Sequence, residues 1–351
     1  MRVVRRTALR AIGLALKGPR LGLTRLPGVS ALRDAVLRPL ASAAYTKLTK
    51  DSELVELGGR RLYVKAGDVG IAHELLLHGA YEPTETALFA ESVPEGGVVF
   101  DIGANIGVYT LIAAERVGPG GRVYAFEPDP VNYSLLCENI ELNGYGDQVV
   151  ALRQAVADTT GRRRLLQHDE NFGLHRLSDT VEPEDDWASS TTIETVSLDE
   201  LVEVEGLERV DVVKMDVEGA EGLVVAGALR LLSSPRMTVF SEWKPDALRA
   251  LGCDPLELVE QVKRLGFQVE VVDEKRGLRE LEREEALLVA AGGGCLNLRL
   301  SKIDPEAAAR PAARSEPRGE RSKKDGFPST RAASAPERSP GSARSAPRPP
   351  A

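Results

Sequence analysis

The sequence predicts an α/β domain built on an open sheet, and three observations carry that reading. Val98 to Thr110, VVFDIGANIGVYT, joins a short β-branched and aromatic run to a helical stripe through a glycine turn. Strand and helix patterns then alternate as βαβαβ as far as Val156. Asp101, Glu127 and Asp216 each follow or end such a strand, at the carboxyl edge where open α/β sheets hold ligands.

Taken in order, residues 53 to 57 and 60 to 65 flank Gly58-Gly59, a two-residue turn signal, and read as a β-hairpin forming an extra edge. Residues 73 to 92 carry a helical run with Tyr81, Glu82 and Glu85 just ahead of the glycine turn. His73 and His78 lie there without companion acids at ligand spacing, which makes them surface or packing groups rather than metal ligands. In the turn, Gly103 and Gly107 let backbone approach a ligand, and the first N–H groups of the next helix offer an anion site beside Asp101. A ligand carrying both an ammonium and a carboxylate fits that description. Arg122 to Phe126 is a second strand running into Glu127, 26 residues beyond Asp101, where an acid can accept two hydrogen bonds from a ribose diol.

Val131 to Leu142 reads as a helix and Val149 to Val156 as a third strand. Residues 157 to 196 resemble an insertion, polar apart from RRRLL and the strand pattern at Thr192 to Val196, and Asn171, His175 and Trp187 are its candidates for acceptor recognition. Ser197 with Glu200 forms a capping-box pattern, and Val210 to Met215 is a buried strand delivering Asp216. DVEGAE then groups Asp216, Glu218 and Glu221 around Gly219. Met237 to Ser241 makes a fifth strand ending in Glu242-Trp243-Lys244; a helix at 254 to 265, a strand at 267 to 273 and a pair around 286 to 300 complete the sheet.

Composition bounds the rest. A chain of 351 residues, 42% hydrophobic and 28% charged, can bury one large core with appendages. The net charge of −8 conceals a basic N-terminal stretch, in which eleven Lys or Arg face the single acid Asp34 over residues 1 to 50. That stretch reads as a basic amphipathic helical arm, either packed on the domain or in peripheral contact with an anionic membrane. Its AIGLAL run is too short for a signal-peptide core or a membrane span. The acidic body argues against nucleic acid as a partner. Cys137, Cys253 and Cys295 show no C-x-x-C spacing and read as reduced thiols of a cytoplasmic protein. Residues 303 to 351, rich in Pro, Ala, Ser and Arg, are expected to be disordered, leaving residues 51 to 302 as the main domain.

The phrases GAYEPTET, FDIGANIGVYTLIAA, GRVYAFEPDP, ENIELNG, TVSLDEL and VDVVKMDVEGAE occur in the order and spacing of the FkbM-type methyltransferase family, which this sequence resembles over about residues 70 to 273. The resemblance implies a Rossmann-like, seven-stranded class I methyltransferase sheet of order 3-2-1-4-5-7-6 with helices on both faces. It implies S-adenosyl-L-methionine as cofactor and O-methylation of a hydroxyl on a sugar, glycolipid or polyketide-type acceptor. Carried over residue by residue, Asp101, Gly103, Asn105 and Gly107 meet the methionine part of the cofactor, Glu127 its ribose, and Ala155 and Asp158 the adenine edge. Asp216 lies beside the methyl with Glu218 and Glu242 nearby, one of them acting as base or several holding a divalent metal. The sequence departs from the family after Glu242, where a histidine is common and Lys244 stands instead. Two other classes are weighed against this reading. A dinucleotide oxidoreductase is disfavoured because GANIG lacks G-x-G-x-x-G spacing and sets Asp101 against a pyrophosphate. A non-catalytic, membrane-associated scaffold that retains the fold is the remaining alternative.

Overall fold

The computed structural model describes residues 53–65, 68, 70–167, 175–178, 189–282 and 294–302. The arm of residues 1–50, the tail from residue 303, Asn171 and Trp187 lie outside the described residues, as do the side chains of His73 and His78. Strands β1 (Glu53–Leu57) and β2 (Arg60–Val64) pair antiparallel about Gly58 and Gly59, both at positive φ. They form their own two-stranded sheet instead of the expected edge of the main one. The single helical run expected over 73–92 is two helices, α1 (Ile71–His78) and α2 (Pro83–Ser92), because Gly79 ends the first in the left-handed region and Pro83 starts the second.

Next come β3 (Val98–Ile102), α3 (Val108–Val117), β4 (Arg122–Phe126), α4 (Pro130–Asn143) and β5 (Val149–Leu152). The Asp129 side chain caps α4 by accepting from the Val131 and Asn132 amides, with Pro130 in the first turn. One turn apart on α4, Asn139 and Asn143 hold the hairpin: Asn139 Oδ1 accepts from the Tyr63 amide at 2.6 Å and Asn143 Oδ1 from the Arg61 amide at 3.0 Å. Asn139 Nδ2 also donates to the Ile106 carbonyl at 2.8 Å, tying hairpin, helix and glycine turn together.

The expected third strand, 149–156, divides. After β5 the chain leaves the main sheet, and β6 (Ala155–Val156) joins a second sheet with β7 (Gly161–Gln167), β8 (Arg176–Ser178) and β9 (Ser189–Val196), in the order β6-β9-β7-β8. The insertion is thus a sheet of its own, with Ala155, Ala157, Leu165, Leu177 and Ile193 in its buried cluster. Then follow α5 (Leu198–Val204), β10 (Val212–Met215), α6 (Glu221–Ala226), α7 (Leu229–Leu232), β11 (Thr238–Trp243), α8 (Pro245–Ala250), α9 (Pro255–Arg264), β12 (Gln268–Asp273), β13 (Gly277–Glu280) and β14 (Leu296–Ser301). Ser197 does not form the expected capping box at α5; its hydroxyl donates to the Gly227 carbonyl at 2.9 Å instead.

The main sheet runs β13-β12-β14-β11-β10-β3-β4-β5, eight strands where seven were expected, because β13 adds an antiparallel edge to β12. Neighbours from β11 through β5 are parallel, while β14 runs antiparallel to both β11 and β12. Successive strands go from β3 outward to β4 and β5 on one side, and from β3 to β10 on the other. That reversal opens a crevice at the carboxyl ends of β3, β4 and β10. Each face of the sheet carries its own apolar layer: Phe100, Phe126, Met215 and Trp243 belong to one, Val99, Leu111, Leu136 and Phe240 to the other. Fully burying a side chain of this size contributes about 1.5–3 kcal/mol, so the strand ends sit on a rigid base.

Candidate active site

A cavity of about 360 Å³ occupies the crevice. On its β3 side Asp101 is buried and accepts from the Thr110 hydroxyl at 2.5 Å; burial pushes its carboxyl up to about 6 against the pull of Thr110 and Lys214. Gly103, at φ 82°, has no room for a Cβ because the Asp216 backbone carbonyl occupies that space. The glycine therefore answers to the end of β10, not only to a ligand. Gly107, at φ 95°, is glycine because that left-handed backbone strains any residue with a Cβ, with the Leu136 side chain close by, and it does not line the cavity. The Gly103 and Ala104 amides donate to the Phe126 carbonyl at 3.0 and 2.9 Å and hold the turn against β4.

Asn105, itself at φ 50°, donates its amide to Glu127 Oε2 at 2.8 Å, and the Asp129 amide donates to Oε1 at 2.8 Å. Burial nevertheless pushes the Glu127 carboxyl up to about 8. Each of its oxygens keeps a second acceptor position, which is what a vicinal diol requires. Ala155 lines the cavity; Asp158 does not, and pairs with Arg163 at 2.6 Å. His175, expected near an acceptor, lines the cavity with its Nε2 3.7 Å from Asp129, on the Glu127 side.

Across β3 the ends of β10 and β11 bring Asp216, Glu218 and Glu242 together, with carboxylate oxygens within 4.8 Å of one another. Glu218 sits at φ 52° and Gly219 at φ 101°, where a Cβ would strike the backbone of Ala247 on α8 at 2.6 Å. Lys244 Nζ lies 2.7 Å from both Glu218 oxygens and 3.0 Å from Glu242 Oε2. The Cys295 thiol donates to Glu242 Oε1 at 2.8 Å. Burial, reinforced by Glu242 and Glu218, holds the Asp216 carboxyl well above its ordinary range despite Lys214. Burial also raises Glu218, whereas for Glu242 burial is outweighed by Lys244, the Cys295 hydrogen bond and Lys214 together, which lower it. Glu221, grouped with these acids in the sequence, does not line the cavity; it accepts from the Val217 and Gly219 amides at 3.4 and 3.3 Å and braces the turn.

Lys214 is the residue that sequence reasoning missed. It is 2% exposed, lies 2.7 Å from Glu85 on α2 and sits 4.7 Å from the centre of the Tyr109 ring. The Tyr109 hydroxyl donates to Glu82 at 2.7 Å, and Tyr81 and Glu82 complete that wall. A lysine inside the apolar run VVKM was the available signal.

The lining is rich in carboxylates, with two lysines among them, and so suits a ligand bearing an ammonium and a sulfonium as well as a carboxylate. An open sheet with this strand-end crevice, a glycine turn after β3 and a buried acid after β4 is an arrangement that holds nucleotide-like ligands, and the similarities that follow make the protein a methyltransferase that uses S-adenosyl-L-methionine. Residues 101–269 match the methyltransferase FkbM domain. The hexuronic acid methyltransferase AglP of Haloferax volcanii is 28% identical over 210 residues, 58% of this chain and 73% of that protein. The methyltransferase sdnD of Sordaria araneosa is 29% identical over 184 residues, covering 45% and 71%. The 31-O-demethyl-FK506 methyltransferase FkbM of Streptomyces tacrolimicus is 31% identical over 164 residues, covering 38% and 59%. Among the described residues no helix is long and apolar enough to cross a membrane.

Proposed function

We propose that the protein transfers the methyl group of S-adenosyl-L-methionine to a hydroxyl of a sugar, glycolipid or polyketide-type acceptor, with Asp216 receiving the hydroxyl proton. The observation that carries this is the Asp216 carboxyl, raised well above its ordinary range between Glu218 and Glu242, across β3 from the diol-accepting Glu127. A carboxylate of raised basicity is the better proton acceptor near neutral pH. The cofactor supplies an activated methyl group whose bond to sulfur breaks as the new oxygen–carbon bond forms. Asp101, Gly103 and Asn105 serve its methionine part, Glu127 its ribose and Ala155 the adenine edge. The names of the relatives, which specify a hexuronic acid and 31-O-demethyl-FK506, support a hydroxyl acceptor. Incubation with methyl-labelled cofactor and an extract of the native cell, followed by identification of the labelled product, tests the reading. A product labelled on nitrogen or carbon would refute it.

The same reading divides the chain into an arm at 1–50, a methyltransferase domain at 51–302 and a tail at 303–351, with the arm in peripheral contact with anionic lipid. Sedimentation with anionic vesicles should weaken as salt is raised, since the charges are screened over about 8–10 Å near physiological ionic strength. Equal sedimentation with neutral vesicles would remove the electrostatic contact.

A further inference from the structure

Three carboxylates with oxygens within 4.8 Å of one another repel strongly unless a positive charge lies among them. Lys244 supplies one, at 2.7 Å from both oxygens of Glu218 and 3.0 Å from Glu242. The backbone fixes this arrangement from both sides. Lys244 directly precedes α8, whose first residue is Pro245, so its position is set by the start of that helix. Gly219 packs so closely on Ala247 of the same helix that a Cβ would not fit, and Glu218 is held at positive φ beside it. The turn carrying Glu218 and the turn carrying Lys244 are therefore locked to each other. Lys244 remains 30% exposed and lines the cavity.

A divalent cation bound by these oxygens would sit about 2.0–2.6 Å from them. It would lie against the ammonium, which already occupies the space between Glu218 and Glu242, and like charges at that range exclude each other. We propose that Lys244 is the resident cation of this end of the cavity: it holds Glu218 and Glu242 in place beside Asp216 and does the work that a metal ion would otherwise do. Methyl transfer then runs without a metal, a consequence that rests on the methyltransferase reading of Asp216. Lys244 acts through the acids and is a positioning residue. It reaches neither the diol-accepting Glu127 nor Asp101 through any bond described above.

The test uses the full-length protein and Mn²⁺ alone as probe. Calorimetric titration of the wild type should show no binding tighter than millimolar, whereas Lys244→Met should gain Mn²⁺ binding that a further Glu218→Gln abolishes. Lys244→Gln serves as a second variant if the melting temperature shows that Lys244→Met is misfolded. In turnover assays, chelator should leave the wild-type rate unchanged. Lys244→Met should lower kcat by about 10²-fold, the scale of a displaced catalytic group, with the cofactor KM little altered. Lys244→Arg, which keeps the charge, should restore the rate to within about tenfold. Mn²⁺ binding by the wild type, or folded Lys244→Met and Lys244→Gln variants that gain none, would overturn the resident-cation assignment. A wild-type rate in Lys244→Met would overturn the positioning role. If no acceptor is ever methylated, the functional reading fails while the Mn²⁺ titration still decides the cation assignment.

Discussion

The two ends of the cavity are built from different materials. At the end proposed for the cofactor, Glu127 is held by the backbone amides of Asn105 and Asp129, and Asp101 by the hydroxyl of Thr110. At the acceptor end, Glu218 and Glu242 are held by Lys244, Glu242 also by Cys295, and Lys214 by Glu85, which lies 129 residues earlier in the chain. Backbone donors fix one geometry for one ligand.

The comparison breaks first at Asp216. Asp216→Asn keeps size and much of the hydrogen bonding but removes the proposed proton acceptor, so turnover should fall by about 10²–10⁴-fold. Cofactor affinity, measured calorimetrically, should stay within a few-fold of wild type. Lost cofactor binding with intact turnover per bound complex would reverse the assignment of the two ends.

Gly103 is where the ends touch. Alanine there must adopt a left-handed backbone and push the Asp216 carbonyl away, at a combined cost of about 2–5 kcal/mol. Gly103→Ala should lower the melting temperature and, unlike any single-end variant, impair both cofactor binding and turnover. A stable protein defective in only one of the two would show that the ends are mechanically independent.

This division also explains what could be read in the sequence. The turn DIGANIG, the acid after RVYAF and the acids of DVEGAE were legible because each is a local pattern with a physical meaning in an open α/β sheet. Gly107 was legible as a glycine, but its cause, a φ of 95° directly before α3, was not. Ser197 followed three residues later by Glu200 satisfies a local rule, yet the Gly227 carbonyl thirty residues on takes its hydroxyl. The break between Leu152 and Ala155 was hidden because both pieces look like strand, and only pairing with β9 assigns the second to another sheet. Lys214 escaped because its partner Glu85 is remote and its neighbours are apolar.

At the other end, Glu127→Ala removes the proposed ribose acceptor and should weaken cofactor binding by about 1.5–3 kcal/mol while leaving kcat at saturating cofactor close to wild type. A normal Kd in a folded Glu127→Ala protein would place the ribose elsewhere.

The smallest effect is the most diagnostic, because pH acts on the empty and filled cofactor end with opposite sign. Burial puts the Glu127 carboxyl at about 8 in the folded protein against an ordinary value of 4.5. An acid raised in this way binds more protons folded than unfolded. Its contribution to stability is therefore complete below the unfolded value and is lost as pH rises through about 8. Asp101, raised to about 6, and Glu221, raised to about 7, act in the same direction. The melting temperature of the unliganded protein should accordingly decline between about pH 5 and pH 8.5. Cofactor affinity should move the other way, since the ionised carboxylate accepts from a diol more strongly than the neutral acid does. The neutral form still accepts through its carbonyl oxygen, so the gain from about pH 6 to pH 9 is only about fivefold, the difference between a charged and a neutral hydrogen bond. Glu127→Gln carries no such titration and should lose the part of the slope centred near pH 8, keeping only what Asp101 contributes near pH 6. If Glu127→Gln reproduced the wild-type slope, the titrating group would be another acid of the cavity, and Glu127 would not be the group that meets the ribose.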